Sequence, residues 1–247
     1  MYGPDGPSFF ELAQQALSST ERGYDLLAPK FDATPFRTPD DLLDQVADRV
    51  RAWETPPRRG LDLCCGTGAG AAMLVRVCMD EVVGLDASAG MLDVARDRLA
   101  ASGPPRVRFV QGDALNPGRL GPFDVITCFG AFGHIRTHEQ PALLAAVQRL
   151  LAPTGRFVFL TGYSVGPHRR AWWALHGFNA AIRLRNRLLD PPFHMYYLNF
   201  RVPDILPRFE AAGLNLVLHP AKWRGRHFVI GEATSAPPSS FTEGSEE

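Results

Sequence analysis

Gly66, Gly68 and Gly70 stand together at the end of the apolar run Leu61-Asp62-Leu63-Cys64-Cys65, just ahead of a stretch with helical spacing. Glycines at a strand-to-helix turn let the backbone fold sharply and come close to a ligand. Gly66-x-Gly68-x-x-Ala71 also satisfies the dinucleotide pattern, so spacing alone leaves the ligand open. Asp86 ends the next apolar run, 20 residues beyond Gly66, where a carboxylate can accept both hydroxyls of a ribose. Asp62, four residues before Gly66, narrows the choice. A carboxylate has little use beside a pyrophosphate, but suits a ligand with no phosphate and a positive charge.

These residues need elements to hold them. Ser8-Phe9-Phe10-Glu11 has capping-box spacing and opens a helix to about Ser19. Thr38 is the expected cap of a second helix, with Pro39 in its first turn and Leu42, Leu43, Val46, Val50 and Trp53 at helical spacing. From there strands and helices alternate. Strands are expected at Gly60–Cys64, Val82–Leu85, Val107–Val110, Phe123–Phe129 and Arg156–Leu160. The intervening helices run from the glycine turn to about Met79, from a Ser88 cap through Met91, Leu92, Ala95 and Leu99, and over Leu143, Leu144, Val147 and Leu150. Such alternation implies right-handed crossovers and a parallel sheet. A helix near Asp204–Ala212 and two closing strands, Leu214–His219 and His227–Glu232, complete the chain's regular part.

The expected fold is therefore α/β, with a seven-stranded, mostly parallel sheet and helices on both faces. Residues 1–57 form an N-terminal helical cap, 58–162 the cofactor-binding core and 163–200 an aromatic-rich helical lid after strand five. Residues 201–234 close the core sheet, and 235–247 form a polar, Pro/Ser-rich tail with the composition of a disordered segment.

Composition bounds the function. The 247 residues are 45% hydrophobic and 21% charged, with 26 basic and 26 acidic side chains and no net charge. That argues against a chain held to nucleic acid or membrane by bulk charge. No apolar run reaches the length of a membrane span, and the first residues lack the pattern of a signal peptide. Four cysteines without metal or disulfide spacing suit a reducing cytoplasm, and no metal site is expected. Charge is uneven along the chain: residues 161–231 carry ten basic and three acidic side chains, a bias that fits an anionic substrate.

At this point the chain resembles the class I S-adenosylmethionine-dependent methyltransferases. Asp62–Gly70 is similar to the family's D-x-x-x-G-x-G-x-G loop, and Val83-Gly84-Leu85-Asp86-Ala87-Ser88 with Met91 to its ribose and adenine segment. Gln111-Gly112-Asp113-Ala114 is similar to the motif after the third strand. Leu150-Leu151-Ala152-Pro153-Thr154-Gly155 matches the turn before strand five, with Arg156 where the family has a second glycine. The resemblance covers residues 58–162 and the two closing strands, and is nearest to the small-molecule group of ubiquinone and menaquinone methyltransferases.

The resemblance implies a Rossmann-like methyltransferase domain with S-adenosylmethionine as cofactor and S-adenosylhomocysteine as product. Gly66, Gly68 and Gly70 would surround the methionine portion, and Asp62 would act on its ammonium. Asp86 would hold the ribose, Ala87 and Met91 would flank adenine, and Asp113 with Ala114 would read its polar edge. Phe129 would meet the ammonium through its carbonyl. Transfer is an in-line displacement, for which positioning supplies much of the rate. His134, just past strand four, is the candidate base, with Tyr24 a second candidate catalytic residue. Trp172, Tyr196 and Tyr197 are candidate walls for a small-molecule acceptor of anionic or aromatic character. Asp190-Pro191-Pro192-Phe193 looks like an amino-methyltransferase motif but lies beyond strand five instead of strand four, which makes it a lid turn. Two other readings share these residues: an RNA methyltransferase using the basic segment 161–231, and a protein that binds the cofactor without turnover.

Overall fold

The computed structural model describes residues 5–235, apart from residues 165, 197 and 198; the expected tail falls almost entirely outside them. A single seven-stranded sheet is built from β1 (Arg59–Leu63), β2 (Glu81–Asp86), β3 (Arg106–Gln111), β4 (Phe123–Cys128), β5 (Leu151–Thr161), β6 (Leu214–Trp223) and β7 (Arg226–Ser235). Their order is β3-β2-β1-β4-β5-β7-β6, and only β7 runs against its neighbours. The order reverses between β1 and β4, which opens a crevice at the carboxyl ends of those strands. The doubly wound architecture is the one read from the alternating pattern.

The central strands are apolar because both faces are covered. On β4, Val125 packs with α3 (Asp40–Arg51) and α4 (Ala69–Val75), while Ile126 packs on the other face with α6 (Gln140–Leu150) and α8 (Leu206–Ala211). α5 (Ala89–Leu99) starts at Ser88, whose Oγ accepts the Met91 N–H at 3.1 Å. The capping box of α1 (Phe9–Leu17) is present: Glu11 accepts the Ser8 N–H at 2.7 Å, and Ser8 Oγ accepts the Glu11 N–H at 3.3 Å.

Several boundaries differ from the periodic reading. α3 begins after Pro39, with no side-chain cap, and Thr38 faces the crevice instead. α4 ends at Val75, not near Met79. β1 stops at Leu63, one residue short of the expected end, because Cys64 turns left-handed with φ of +55°. β6 and β7 are longer than their apolar cores suggest, because the positive φ of both Arg224 and Gly225 makes a tight hairpin that pairs the flanking polar residues. α2 (Thr20–Leu27), followed by a 3-10 turn at Ala28–Ala33, is an addition to the expected elements and buries Gly23 and Leu27. The expected lid region contains α7 (Arg170–Leu188).

Glu232, buried on β7, gathers α3 and β5 onto the sheet. It accepts from Arg156 at 2.5 Å, from Arg49 Nε at 3.3 Å and from Trp53 Nε1 at 3.3 Å. Its arginine partners are themselves 33–40% exposed and can turn to water. Glu232→Ala should therefore lower unfolding free energy by about 1–2 kcal/mol in urea titrations, on the scale of lost hydrogen bonds to a charged group.

Candidate active site

Asp62 lies inside the sheet near the end of β1, 2% exposed. Its Oδ1 accepts the Thr127 hydroxyl of β4 at 2.8 Å, and its carboxylate also accepts the Ala71 N–H at the start of α4. A Cβ on Gly70 would meet Asp62 Oδ2 at 2.5 Å, so glycine is required there by the acid beneath it. Burial dominates the carboxyl's acidity, with Asp86 adding like charge, and lifts its pKa to about 7. Gly68 has a different job. With φ of +83° it turns the chain into α4, and a Cβ there would sit 3.0 Å from the Ala95 Cβ of α5. It packs helices and does not border the crevice.

Asp86 closes the same loop from the end of β2. It accepts the Gly66 N–H at 2.8 Å and the Ser88 N–H at 2.9 Å, and burial raises its pKa. The Ala87 N–H also donates to it, so of the carboxylate's roughly four acceptor sites about one stays open to a ligand hydroxyl. Above Gly66, whose φ is +52°, no atom lies within 4 Å of where a Cβ would stand.

Residues before β1 are fastened onto this loop by two acids that the motif reading missed. Asp25 of α2 accepts Ser88 Oγ at 2.5 Å and the Gly90 N–H at 3.0 Å. Asp32 accepts Thr67 Oγ1 at 2.6 Å and pairs with Arg98. Their partners are a helix cap and a loop hydroxyl, so only three-dimensional proximity reveals them.

The fastening places Tyr24 opposite the loop after β4. Tyr24 Oη lies 2.7 Å from His134 Nε2, and His134 Nδ1 lies 2.5 Å from the His194 carbonyl oxygen. A carbonyl can only accept, so Nδ1 carries the proton, leaving Nε2 to accept from the tyrosine O–H. Burial pushes the His134 pKa below its ordinary 6.5, which favours this neutral imidazole. The 163–200 segment also meets this loop: the Tyr196 N–H donates to the Gly133 carbonyl at 2.7 Å, and Asn199 Nδ2 donates to the carbonyls of Phe132 and Ile135, each at 2.8 Å.

These groups surround one cavity of about 990 Å³. Of the expected site residues, Asp62, Gly66, Gly70, Asp86, Ala87, Met91, Asp113, Ala114, Phe129, His134, Tyr24 and Tyr196 border it. Asp113 is exposed and also makes a local turn, accepting the Leu115 N–H at 2.9 Å. Trp172 is away from the cavity: on α7 its ring stacks on His176 at 3.9 Å and meets Trp173 at 4.7 Å. Tyr197 lies outside the described residues. Among the described residues no cluster of metal-ligating side chains occurs, and no helix is long and apolar enough to cross a membrane.

Comparison with known proteins fits this frame. The sequence pattern of a family described as a methyltransferase domain matches residues 61–155. Magnesium protoporphyrin IX methyltransferase from Synechocystis PCC 6803, solved with bound SAH, shares the fold at a TM-score of 0.55 and 19% identity, over 80% of this chain and 86% of that one. The class is that of the class I S-adenosylmethionine-dependent methyltransferases, whose cofactor is S-adenosylmethionine. The demethylmenaquinone methyltransferase of Thermotoga maritima is 30% identical over 198 residues, covering 72% of this chain and 80% of the relative. The chain belongs to that quinone-type family. The Thermus thermophilus demethylmenaquinone methyltransferase is 43% identical over 111 residues, 44% of this chain and 49% of the relative, so the chain matches about half the length of that relative.

Two outcomes are expected. The native state keeps a proton on Asp62 up to about pH 7, whereas the unfolded carboxyl loses it near about pH 4. This group therefore makes stability fall as pH rises between those values and level off above. Asp62→Asn should flatten that decline, by up to roughly 1.4 kcal/mol per pH unit, in denaturant titrations across the range. Gly70→Ala should cost about 1–3 kcal/mol by overpacking against Asp62, read from the same titrations.

Proposed function

We propose that the protein transfers a methyl group from S-adenosylmethionine to a small aromatic, quinone-type acceptor. The observation that carries this reading is the convergence on one cavity of the glycine loop, Asp86 and the Tyr24–His134 pair. The names of the relatives support the acceptor class: demethylmenaquinone methyltransferase, and the 2-phytyl-1,4-naphtoquinone methyltransferase of Synechococcus elongatus, 31% identical over 159 residues.

In this reading residues 58–162 and 201–234 form the core, 1–57 cap it and 163–200 close over the acceptor. Asp86 holds the ribose hydroxyls, and the open face of Gly66 takes the methionine portion, with Gly70 beside it. Asp62 acts on the ammonium through the backbone it positions, accepting the Ala71 N–H and seating Gly70. Ala87 and Met91 flank adenine, Asp113 and Ala114 meet its polar edge, and the Phe129 carbonyl faces the ammonium. Gly68 contributes through helix packing. When bound, S-adenosylmethionine supplies a methyl group activated on a sulfonium and open to in-line displacement.

The chain's own part in the chemistry is positioning and proton removal. An acceptor hydroxyl loses its proton to Tyr24 Oη as the tyrosine proton passes to His134 Nε2. The His194 carbonyl holds the imidazole in the tautomer this needs, and Tyr196 forms part of the acceptor wall. Four free cysteines, three of them buried, fit work in the reducing cytoplasm.

Radiolabelled S-adenosylmethionine, purified protein and a reduced demethylnaphthoquinone provide the test, with fractionated extract alongside. Label in the naphthoquinol is the expected result. Label in RNA would instead favour the basic segment as a nucleic-acid surface, and cofactor binding without transfer would favour a non-catalytic binder.

Asp86→Ala should weaken S-adenosylhomocysteine binding by about 1–3 kcal/mol in calorimetry, the scale of lost charged hydrogen bonds. His134→Ala should lower kcat at least ~10-fold with cofactor affinity nearly unchanged, the lower end of general-base contributions being about 100-fold. In the wild type, kcat/KM should rise with pH through a pKa below 6.5 and then stay level, because only neutral His134 accepts the proton.

A further inference from the structure

Arg201 sits at the carboxyl end of β5, one strand over from the loop that carries His134. Backbone and side-chain bonds pin its segment there. Thr161 Oγ1 donates to the Phe200 carbonyl at 2.5 Å, the Val202 N–H to the Gly162 carbonyl at 3.2 Å, and the Ser164 N–H to the Val202 carbonyl at 3.1 Å. Phe200 itself is locked by stacking on Phe132, with centroids 3.7 Å apart. The guanidinium then lies over Gly162, where a Cβ would come within 2.6 Å of Nη1. Glycine at that position makes the room the cation occupies.

The guanidinium borders the cavity and, among the described residues, has no hydrogen bond, ion pair or ring contact. Removal from water, with no compensating partner, pushes its pKa down. Among the described residues none of the acids bordering the cavity, Glu21, Asp32, Asp62, Asp86, Asp113 and Glu139, lies within 4.0 Å of it as an ion-pair partner. Glu139 is taken by Arg136 and Asp32 by Arg98, while the cation Arg37 is held by Asp40 at 2.6 Å. Arg226, which also borders the cavity, is exposed to water. A partly desolvated cation without an anion is costly to keep, and a guanidinium presents a planar fork of donors suited to carboxylate or phenolate oxygen.

Resting on the small-molecule methyltransferase reading above, we infer that Arg201 is the anion-binding residue of the acceptor pocket, receiving a carboxylate or ionised hydroxyl oxygen of the aromatic acceptor. The chemistry is complementary to that of the Tyr24–His134 pair. Where the acceptor is ionised by proton removal, the cation at the end of β5 holds the resulting oxygen anion. Where it carries a carboxylate, the same fork orients it.

Binding of three probes to the full chain, with and without saturating S-adenosylhomocysteine, tests the inference by calorimetry: naphthoate, dinitronaphthol (ionised at neutral pH) and the neutral naphthalenemethanol. At least one anion should bind about 10-fold or more tightly than the alcohol, equivalent to about 1.4 kcal/mol. Preference for naphthoate alone assigns a carboxylate, and preference for dinitronaphthol alone an ionised hydroxyl. Arg201→Gln should abolish the preference and Arg201→Lys should retain part of it. Gly162→Ala, which displaces the guanidinium, should reduce it. S-adenosylhomocysteine affinity should stay unchanged in all three variants, showing that they fold. Equal binding of anions and alcohol by the wild type, or full preference in Arg201→Gln, would overturn the inference. Failure of the wild type to bind S-adenosylhomocysteine would instead overturn the cofactor reading, while the probe comparison still decides Arg201.

Discussion

A carboxylate buried beneath a helix start organises this molecule. Asp62 is seated against the bare Cα of Gly70, takes a hydroxyl from Thr127 on the adjacent strand and an amide from Ala71. The acid beneath the start of α4 satisfies the Ala71 N–H, one of the donors a helix start leaves without a partner. Because no side chain fits between acid and helix, β1, β4 and the loop hold one fixed spacing. The left-handed turns at Cys64, Gly66 and Gly68 follow from threading the chain around that contact. Asp86 then ties the loop to β2 through the Gly66 amide.

The rest of the site is layered on this frame by polar contacts between distant parts of the chain. Asp25 and Asp32 bring the N-terminal helices onto the loop, and that placement carries Tyr24 to His134. From the other side, the His194 carbonyl fixes the imidazole's tautomer and Asn199 pins the backbone around it. The proton-accepting nitrogen is thus set by segments more than 50 residues away on either side. Burial works on both titrating centres in opposite senses, raising the acids and lowering the histidine, so each is held toward its neutral form.

A quinone-type family membership and a guanidinium at β5 with no partner among the described residues point the same way. An aromatic acceptor that becomes, or already is, an anion needs a base on one side and a cation on another. In the proposed reading Tyr24–His134 would be that base and Arg201 that cation, with Phe132 and Phe200 stacked at 3.7 Å beside them.

The sequence by itself determined the sheet and the cofactor loop, because both rest on local rules. Alternating apolar runs and helical spacing force a parallel doubly wound core, and the glycines with Asp62 and Asp86 lie on consecutive elements of it. Ser8 and Ser88 announce their helices through bonds three residues long. Tertiary structure alone decided the rest. Asp25, Asp32 and Thr127 find partners 35 to 65 residues away, a relation that no local pattern encodes. Trp172 looked like a pocket wall by composition, yet α7 turns it onto Trp173 and His176 instead. Gly68 fits the loop motif but is required by the approach of Ala95 from the next helix. Arg201 belonged to the basic bias of residues 161–231, but nothing in the sequence singled it out, since one cation among ten becomes informative only when the fold removes its water and gives it no partner among the described residues.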